Sequence, residues 1–390
     1  MKVYTMTESH QNKVSHECSY DGIPDELMVG PWITEHEANI VLNAVRDGWY
    51  GNKAYQYVEA FEPQFAAWHD RRFGLMTPNC THAIHLGLSG LGVGPGDEVI
   101  VPEVTWIATV APITYCGAVP VFCDVDPNTW CATSEAVARC IGPRTKAIII
   151  VDLYGNMPNW DDLKALSKKS GIPILEDSAE ALGSSYQGEK AGGFGKASVF
   201  SFHRTKTITT GEGGIILTDD PALFERCKIL RDHGRAPGSY YNTEVAFKYM
   251  PSNLQASLAL AQFQRIDELV GRKRAMLNRY REQLSGLPVT LNTEPQGGQN
   301  GAWCTTLIFD EETKIDNVTA KTYLDAHMLP SRPFFYPLTA LPAFAAHTNG
   351  GPERNPVAYS LSKRGIILPS SFRVTDAQID QYSSILAKLF

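Results

Sequence analysis

The sequence predicts an α/β fold in which a mostly parallel sheet is covered by helices, followed by a smaller C-terminal α/β domain. Three observations carry that expectation. From about residue 75, short apolar runs alternate with segments of helical period, the pattern of a parallel sheet covered on both faces. The strand candidates are nearly continuous apolar runs: EVIVP (98–102), VPVFCD (119–124), AIIIVD (147–152), IPILED (172–177), SVFSF (198–202) and GIILTD (214–219). The chain has 390 residues, more than one hydrophobic core usually serves, so a second domain is expected.

Taken in order, residues 1–25 read as a loose polar leader without the apolar run of a secretory signal. His10, His16 and Cys18 lie close together there, and a mobile tail accounts for them better than a metal site. A helix follows, with Thr34 and Glu37 as a capping box and Ile40, Val41, Ala44 and Val45 as its buried stripe. Helix-period segments such as WDDLKALSKK separate the strand candidates. After Asn253, LQASLALAQFQRIDELVGRKRAMLNRYREQL reads as one long helix leaving the large domain. The Gly-rich break PQGGQNG (295–301), one strand (CTTLIF) and amphipathic segments complete the chain. The expected units are therefore the leader, a large domain over 26–269 and a small one over 270–390.

Composition narrows the function. The net charge of −7 argues against nucleic acid, whose phosphates demand a Lys/Arg excess. The longest apolar runs, such as AIIIV at 147–151, are too short to span a bilayer. The eight cysteines include no CxxC pair, and without a secretory signal they are expected to stay reduced, in the cytoplasm.

Open parallel sheets bind ligands at the carboxyl ends of their strands, and unusual groups gather there. IPILED ends in Glu176-Asp177, SVFSF leads to Ser201, His203 and Lys206, and EVIVP leads to Trp106. Asn79-Cys80-Thr81 opens a helix whose free N–H groups suit a phosphate. This set meets the needs of pyridoxal 5′-phosphate: a lysine, an acid for the pyridine nitrogen, a phosphate turn with a hydroxyl, and a flat side chain for the ring. Singly, each has a plainer reading, since a loop lysine is usually solvated and a strand-end Asp is usually a cap. Their joint placement shifts the balance.

From about Gly30 to the C-terminus the chain resembles the DegT/DnrJ/EryC1/StrS family of sugar aminotransferases. The resemblance lies in GVGPGDEVIVPEVTWIAT (92–109), AVPVFCDVDPNTW (118–130), PRTKAIIIVDLYGNM (143–157) and ILEDSAEALGSSYQG (174–188). SFHRTKTITTGEGG (201–214), SNLQASLALAQ (252–262) and RPFFYPL (332–338) add to it. It implies a pyridoxal-phosphate transferase of fold type I and a homodimer with active sites at the subunit interface. By position, Lys206 matches the Schiff-base lysine, Asp177 the pyridine-nitrogen partner, Trp106 the stacking aromatic and Glu180 the polar residue near the phenolic oxygen. Ser201 and the amides of Cys80 and Thr81 match phosphate ligands, and Asn253 the phosphate contact from the other subunit.

The chain departs from the family at Cys80, where Gly is usual, and at Arg204, Met250 and Thr339. The resemblance implies ping-pong transfer of an amino group from L-glutamate to a keto sugar. A nucleotide-linked 4-keto-6-deoxyhexose ranks first and a keto-cyclitol second. A sugar dehydratase fits less well, because those relatives replace the lysine by histidine. A non-catalytic regulator would be expected to lack the lysine–acid pair. His203 and Tyr336 are candidate substrate residues. Arg231, His233, Arg235 and Lys248 could meet a diphosphate or form a solvated face.

Overall fold

A computed structural model describes residues 27–390 apart from Pro237, Gln296 and Thr348. The leader with His10, His16 and Cys18 lies outside the described residues. The strands are β1 (Phe73–Thr77), β2 (Glu98–Pro102), β3 (Val119–Cys123), β4 (Thr145–Val151), β5 (Ile174–Asp177), a small hairpin of β6 (Ser185–Tyr186) and β7 (Glu189–Lys190), β8 (Ala197–Ser201) and β9 (Gly214–Thr218). They are followed by β10 (Val289–Leu291), β11 (Thr306–Phe309), β12 (Arg332–Pro333) and β13 (Gly365–Ile367).

The main sheet has the order β1-β9-β8-β5-β4-β2-β3. Pairing is parallel from β3 through β2, β4 and β5 to β8, and β9 alone runs against its neighbours β8 and β1. The expected class, a mostly parallel sheet with helices, is the one found. The exception has a local cause. A parallel return needs a crossover of a dozen or more residues, usually a helix, and the link between β8 and β9 contains none. The carboxyl ends of β1, β2, β4, β5 and β8 and the start of β9 therefore share one edge.

Local chemistry explains the helices. In Trp160–Ser170, Asn159 accepts from the Asp162 N–H, acids occupy the first turn and lysines the last, and Gly171 closes the helix at φ +73°. Glu35–Asp47 starts with the expected Thr34–Glu37 capping box. Its buried stripe differs from expectation: Ala44 is buried, but Val45 is 46% exposed and Glu37 fully buried. The reason is an ionic anchor, since Glu37 accepts from Arg265 at 2.6 Å and Gln262 at 2.7 Å. The same anchor accompanies a break in the expected long helix. It divides into Asn253–Phe263 and Ile266–Gln283 around Arg265, which takes φ −112°, ψ 15°.

The C-terminal region forms an antiparallel sheet, β10-β11-β13-β12, with Tyr280, Leu307, Phe309, Ile366 and Leu27 in its core. β10, β12 and β13 have only two or three residues each, too few to show an alternating pattern. Trp303 and Phe334 from this region share a cluster with Ile149 of the main sheet, so the C-terminal segment closes over the carboxyl edge.

Burial would raise the Glu37 carboxyl, but hydrogen bonds from Thr34 and Arg265 carry it from 4.5 down to about 2. A lowered folded value contributes stability above pH 4.5 that is lost as pH falls toward 2. The thermal midpoint should drop across that window. Glu37→Gln should lower the midpoint at pH 7 and flatten the acid slope; an unaltered slope would contradict the anchor.

Candidate active site

β5 delivers Asp177 to the shared edge, 3% exposed. Thr109 Oγ1 donates to its Oδ2 at 2.7 Å and the Ala179 N–H to its Oδ1 at 3.1 Å. Burial pushes the carboxyl up, against those bonds and the Lys206 charge. Glu180 is also buried; it accepts from the Tyr154 N–H at 2.9 Å and faces Lys206 Nζ at 3.4 Å. Burial raises this acid too, and the Lys206 charge opposes the rise.

Lys206 lies in the link from β8 to β9, its side chain 12% exposed. The link is folded tightly, with the Phe202 N–H on the Gly213 carbonyl, the Arg204 N–H on the Gly211 carbonyl, and Gly211 at φ +78°. Lys206 Nζ stands 3.5 Å from the ring centroid of Trp303, a cation–π contact. The Trp303 indole donates to the Thr205 carbonyl at 2.7 Å, which ties the ring to the backbone beside the lysine. The amine thus sits between a carboxylate and an aromatic face.

The candidate anion-binding end is the start of the helix Cys80–Gly90. Asn79 caps it by accepting from the His82 N–H at 2.9 Å. The Cys80 and Thr81 amides have no partner among the described residues, which leaves two donors at a helix N-terminus. A Cβ on Gly214 would lie 2.5 Å from the Cys80 nitrogen, so the turn rests on the start of β9 only because residue 214 is glycine. The Cys80 side chain is buried in the core, and burial pushes its thiol up. Its Cβ therefore leaves the amide at the turn. Ser201 ends β8, half-buried, its hydroxyl accepting from the His203 N–H at 3.3 Å.

Trp106 is 57% exposed, with its ring centroid 5.7 Å from that of Phe335. Tyr336, next in sequence, is 56% exposed, and Pro337 bridges to Val104 just after β2. His203 faces Glu212 at 3.6 Å, and Arg204 is exposed.

Two expectations change. Arg231 is a buried structural cation, bonded to Glu62 at 2.5 Å and to the Met76 carbonyl at 2.9 Å, because the half-buried Glu62 carboxylate supplies its counter-charge. Arg235 and Lys248 both pair with Asp232, so the expected cation cluster is partly neutralised. Asn253 is engaged within its own chain: it accepts from the Tyr57 N–H at 3.0 Å and donates to the Gly48 and Lys53 carbonyls. Thr339 belongs to a loop anchor, its hydroxyl donating to buried Glu103 at 2.6 Å.

Sequence reasoning missed Thr109, Tyr154 and Trp303. The first two lie in the segments TWIAT and DLYG. Trp303 gave no local signal, since its contact with Lys206 spans almost a hundred residues.

The residues fit pyridoxal 5′-phosphate: a held lysine, a buried acid, two free helix-start amides cradled by Gly214, and an uncovered aromatic face. The DegT/DnrJ/EryC1/StrS aminotransferase family matches residues 31–387. The GDP-perosamine synthase of Vibrio cholerae is 34% identical over 361 residues, 92% of this chain and 98% of that protein. A Streptococcus pneumoniae protein described as a sugar aminotransferase (Spr1654), solved in its PLP form, aligns with TM-score 0.84 at 27% identity, covering 93% of this chain and 99% of that one. The crystal structure of 3-amino-5-hydroxybenzoic acid synthase also aligns at TM-score 0.84 and 27% identity, covering 92% and 97%. The chain belongs to the DegT/DnrJ/EryC1/StrS aminotransferase family and is a pyridoxal-phosphate enzyme.

Gly214→Ala should displace the phosphate turn, since the atoms that its Cβ would meet belong to the backbone of Asn79 and Cys80. Cofactor affinity, followed by absorbance titration, is expected to fall on the order of tenfold or more, about 1.4 kcal/mol. Unchanged affinity would show that the turn does not hold the phosphate.

Proposed function

We propose that this chain moves an amino group from L-glutamate to a nucleotide-linked 4-keto-6-deoxyhexose by a ping-pong route. The observation that carries this reading is Lys206 Nζ held between Glu180 at 3.4 Å and the Trp303 ring at 3.5 Å, with Asp177 buried in the same site. The likeness to a GDP-perosamine synthase over 92% of the chain favours a nucleotide sugar over a cyclitol.

When bound, the cofactor supplies an electron sink conjugated to the reacting carbon. Asp177 holds a proton at the ring nitrogen: a cationic N–H opposite it favours the carboxylate, as the Lys206 charge does in the described structure. Thr109 fixes the orientation of that carboxylate. Lys206 would anchor the cofactor, and its free amine would carry a proton to and from the substrate carbon. Glu180 balances its charge between the two states. The Cys80 and Thr81 amides and the Ser201 hydroxyl would hold the phosphate, and Trp106 would be the aromatic against the ring.

On the substrate side, His203 and Tyr336 border the site, and Arg235 and Lys248 are the remaining candidates for a diphosphate. A homodimer with its sites at the interface is part of the proposal. Leu42, Val45, Trp49 and Tyr50 form an exposed apolar face, with Tyr50 86% exposed, of the kind a second copy covers. Asn253 could meet the partner's phosphate only by giving up its present bonds. A cytoplasmic location belongs to the same reading. Among the described residues no helix is long and apolar enough to cross a membrane.

Amino transfer should be assayed against nucleotide 4-keto-6-deoxyhexoses and keto-inositols, with L-glutamate or L-glutamine as donor. Glutamate-dependent turnover of a nucleotide sugar is expected, and turnover of keto-inositols alone would replace the substrate assignment. Lys206→Ala should lose multiple turnover by at least ~10²–10⁴-fold, the scale of acid–base catalysis. If that variant kept cycling, the mechanism would be wrong.

A further inference from the structure

Tyr154 has no part in the chemistry above, yet it touches both halves of the site. It follows β4 with φ +54°, a left-handed conformation uncommon for a bulky residue and frequent where structure is imposed for function. Its N–H donates to Glu180 Oε2 at 2.9 Å, on the carboxylate beside Lys206. Its carbonyl accepts from Asn292 at 2.9 Å and Asn300 at 3.4 Å, which locks the turn. The ring is fully buried. One neighbour is Trp303, at 6.1 Å between centroids and 7° between planes; another is Phe335, at 4.9 Å and 19°.

The hydroxyl is the informative atom. It accepts from the Phe335 N–H at 3.0 Å. Three residues on, the Leu338 N–H donates to the Glu103 carbonyl at 2.7 Å, and the Thr339 N–H donates to the Glu103 carboxylate at 2.9 Å. The segment is pinned at two points, and Tyr336 stands exposed between them. A phenylalanine at 154 would fill the same space, so packing alone does not require the hydroxyl.

We propose that Tyr154 is a positioning residue for the keto-sugar half-reaction: its hydroxyl sets the Phe335–Tyr336 segment at the rim beside Trp106. The inference rests on the function proposed above. Tyr154 acts on substrate through that segment, while its own N–H serves Glu180 and survives any side-chain change. Loss of the hydroxyl should therefore separate the two halves of the reaction.

The test is Tyr154→Phe, read in two ways. Hydrogen exchange on the apoprotein should quicken about tenfold at the Phe335 amide and stay unchanged over Ala197–Thr207. In the holoenzyme, spectral conversion by L-glutamate should stay within twofold of wild type, while KM for the keto sugar rises about tenfold with kcat nearly kept. Phe335→Leu, which retains the N–H bond and loses only the ring stack, should leave sugar KM within twofold, and a rise equal to that of Tyr154→Phe would assign the effect to the stack and overturn the proposal; if Tyr154→Phe does not fold, the wild-type Phe335 amide decides, since fast exchange there would overturn it as well. In Tyr154→Phe, unchanged exchange at Phe335, unchanged sugar KM, or equal slowing of both halves would overturn the proposal. If wild type itself shows no conversion by glutamate, the proposed function fails, and the exchange measurement still decides whether the hydroxyl holds the segment.

Discussion

A lysine held beside two buried carboxyls is the constraint around which this structure is arranged. A buried ionic group is tolerated only when paired and hydrogen-bonded. The partners that satisfy Lys206, Asp177 and Glu180 come from distant parts of the chain: Thr109 from the helix after β2, the Tyr154 amide from the end of β4, and Trp303 from the C-terminal region. None of these contacts is useful alone. Together they require the strand order, the edge and the closing segment to be as they are.

Burial by itself does not make such a site. Lys273 is buried more completely than Lys206, and burial brings it from 10.5 to about 8. It donates to the Ser370 carbonyl and lies over the Phe372 ring, where it ties the helix Ile266–Gln283 to the segment after β13. What distinguishes Lys206 is the acid at 3.4 Å and the position at the carboxyl edge, where open sheets take their ligands. The reversal of β9 adds the last element. It brings Gly214 under the first amides of the helix Cys80–Gly90, so the lysine link and the proposed phosphate turn are set by the same pair of strands.

Much of this was legible in the residues. Long apolar strands with helices between them specify a parallel sheet, and Lys206, Asp177, Cys80-Thr81 and Trp106 stand where strand ends converge. The misses have physical causes. β1 contains Gly74, required because a Cβ there would meet the Glu62 carbonyl at 2.9 Å, and the glycine weakens the strand signal. Val45 is exposed rather than part of the buried stripe, and the capping-box residue Glu37 is buried, because an ion pair, rather than apolar periodicity, fixes that helix. Arg231 looked like a free cation because nothing local reveals its partner Glu62, which is 169 residues away in the chain. Trp303 could not be read for the same reason: sequence patterns report local order, and a cation–π contact between distant segments leaves none.

The most direct measurement is covalent. Reduction of the holoenzyme with borohydride fixes the pyridoxyl group to whichever lysine holds it, and peptide mass spectrometry locates it. The account requires the label on the peptide containing Lys206, at close to one per chain. A label on Lys273 or any other lysine, or no label on a chain that binds the cofactor, would contradict it.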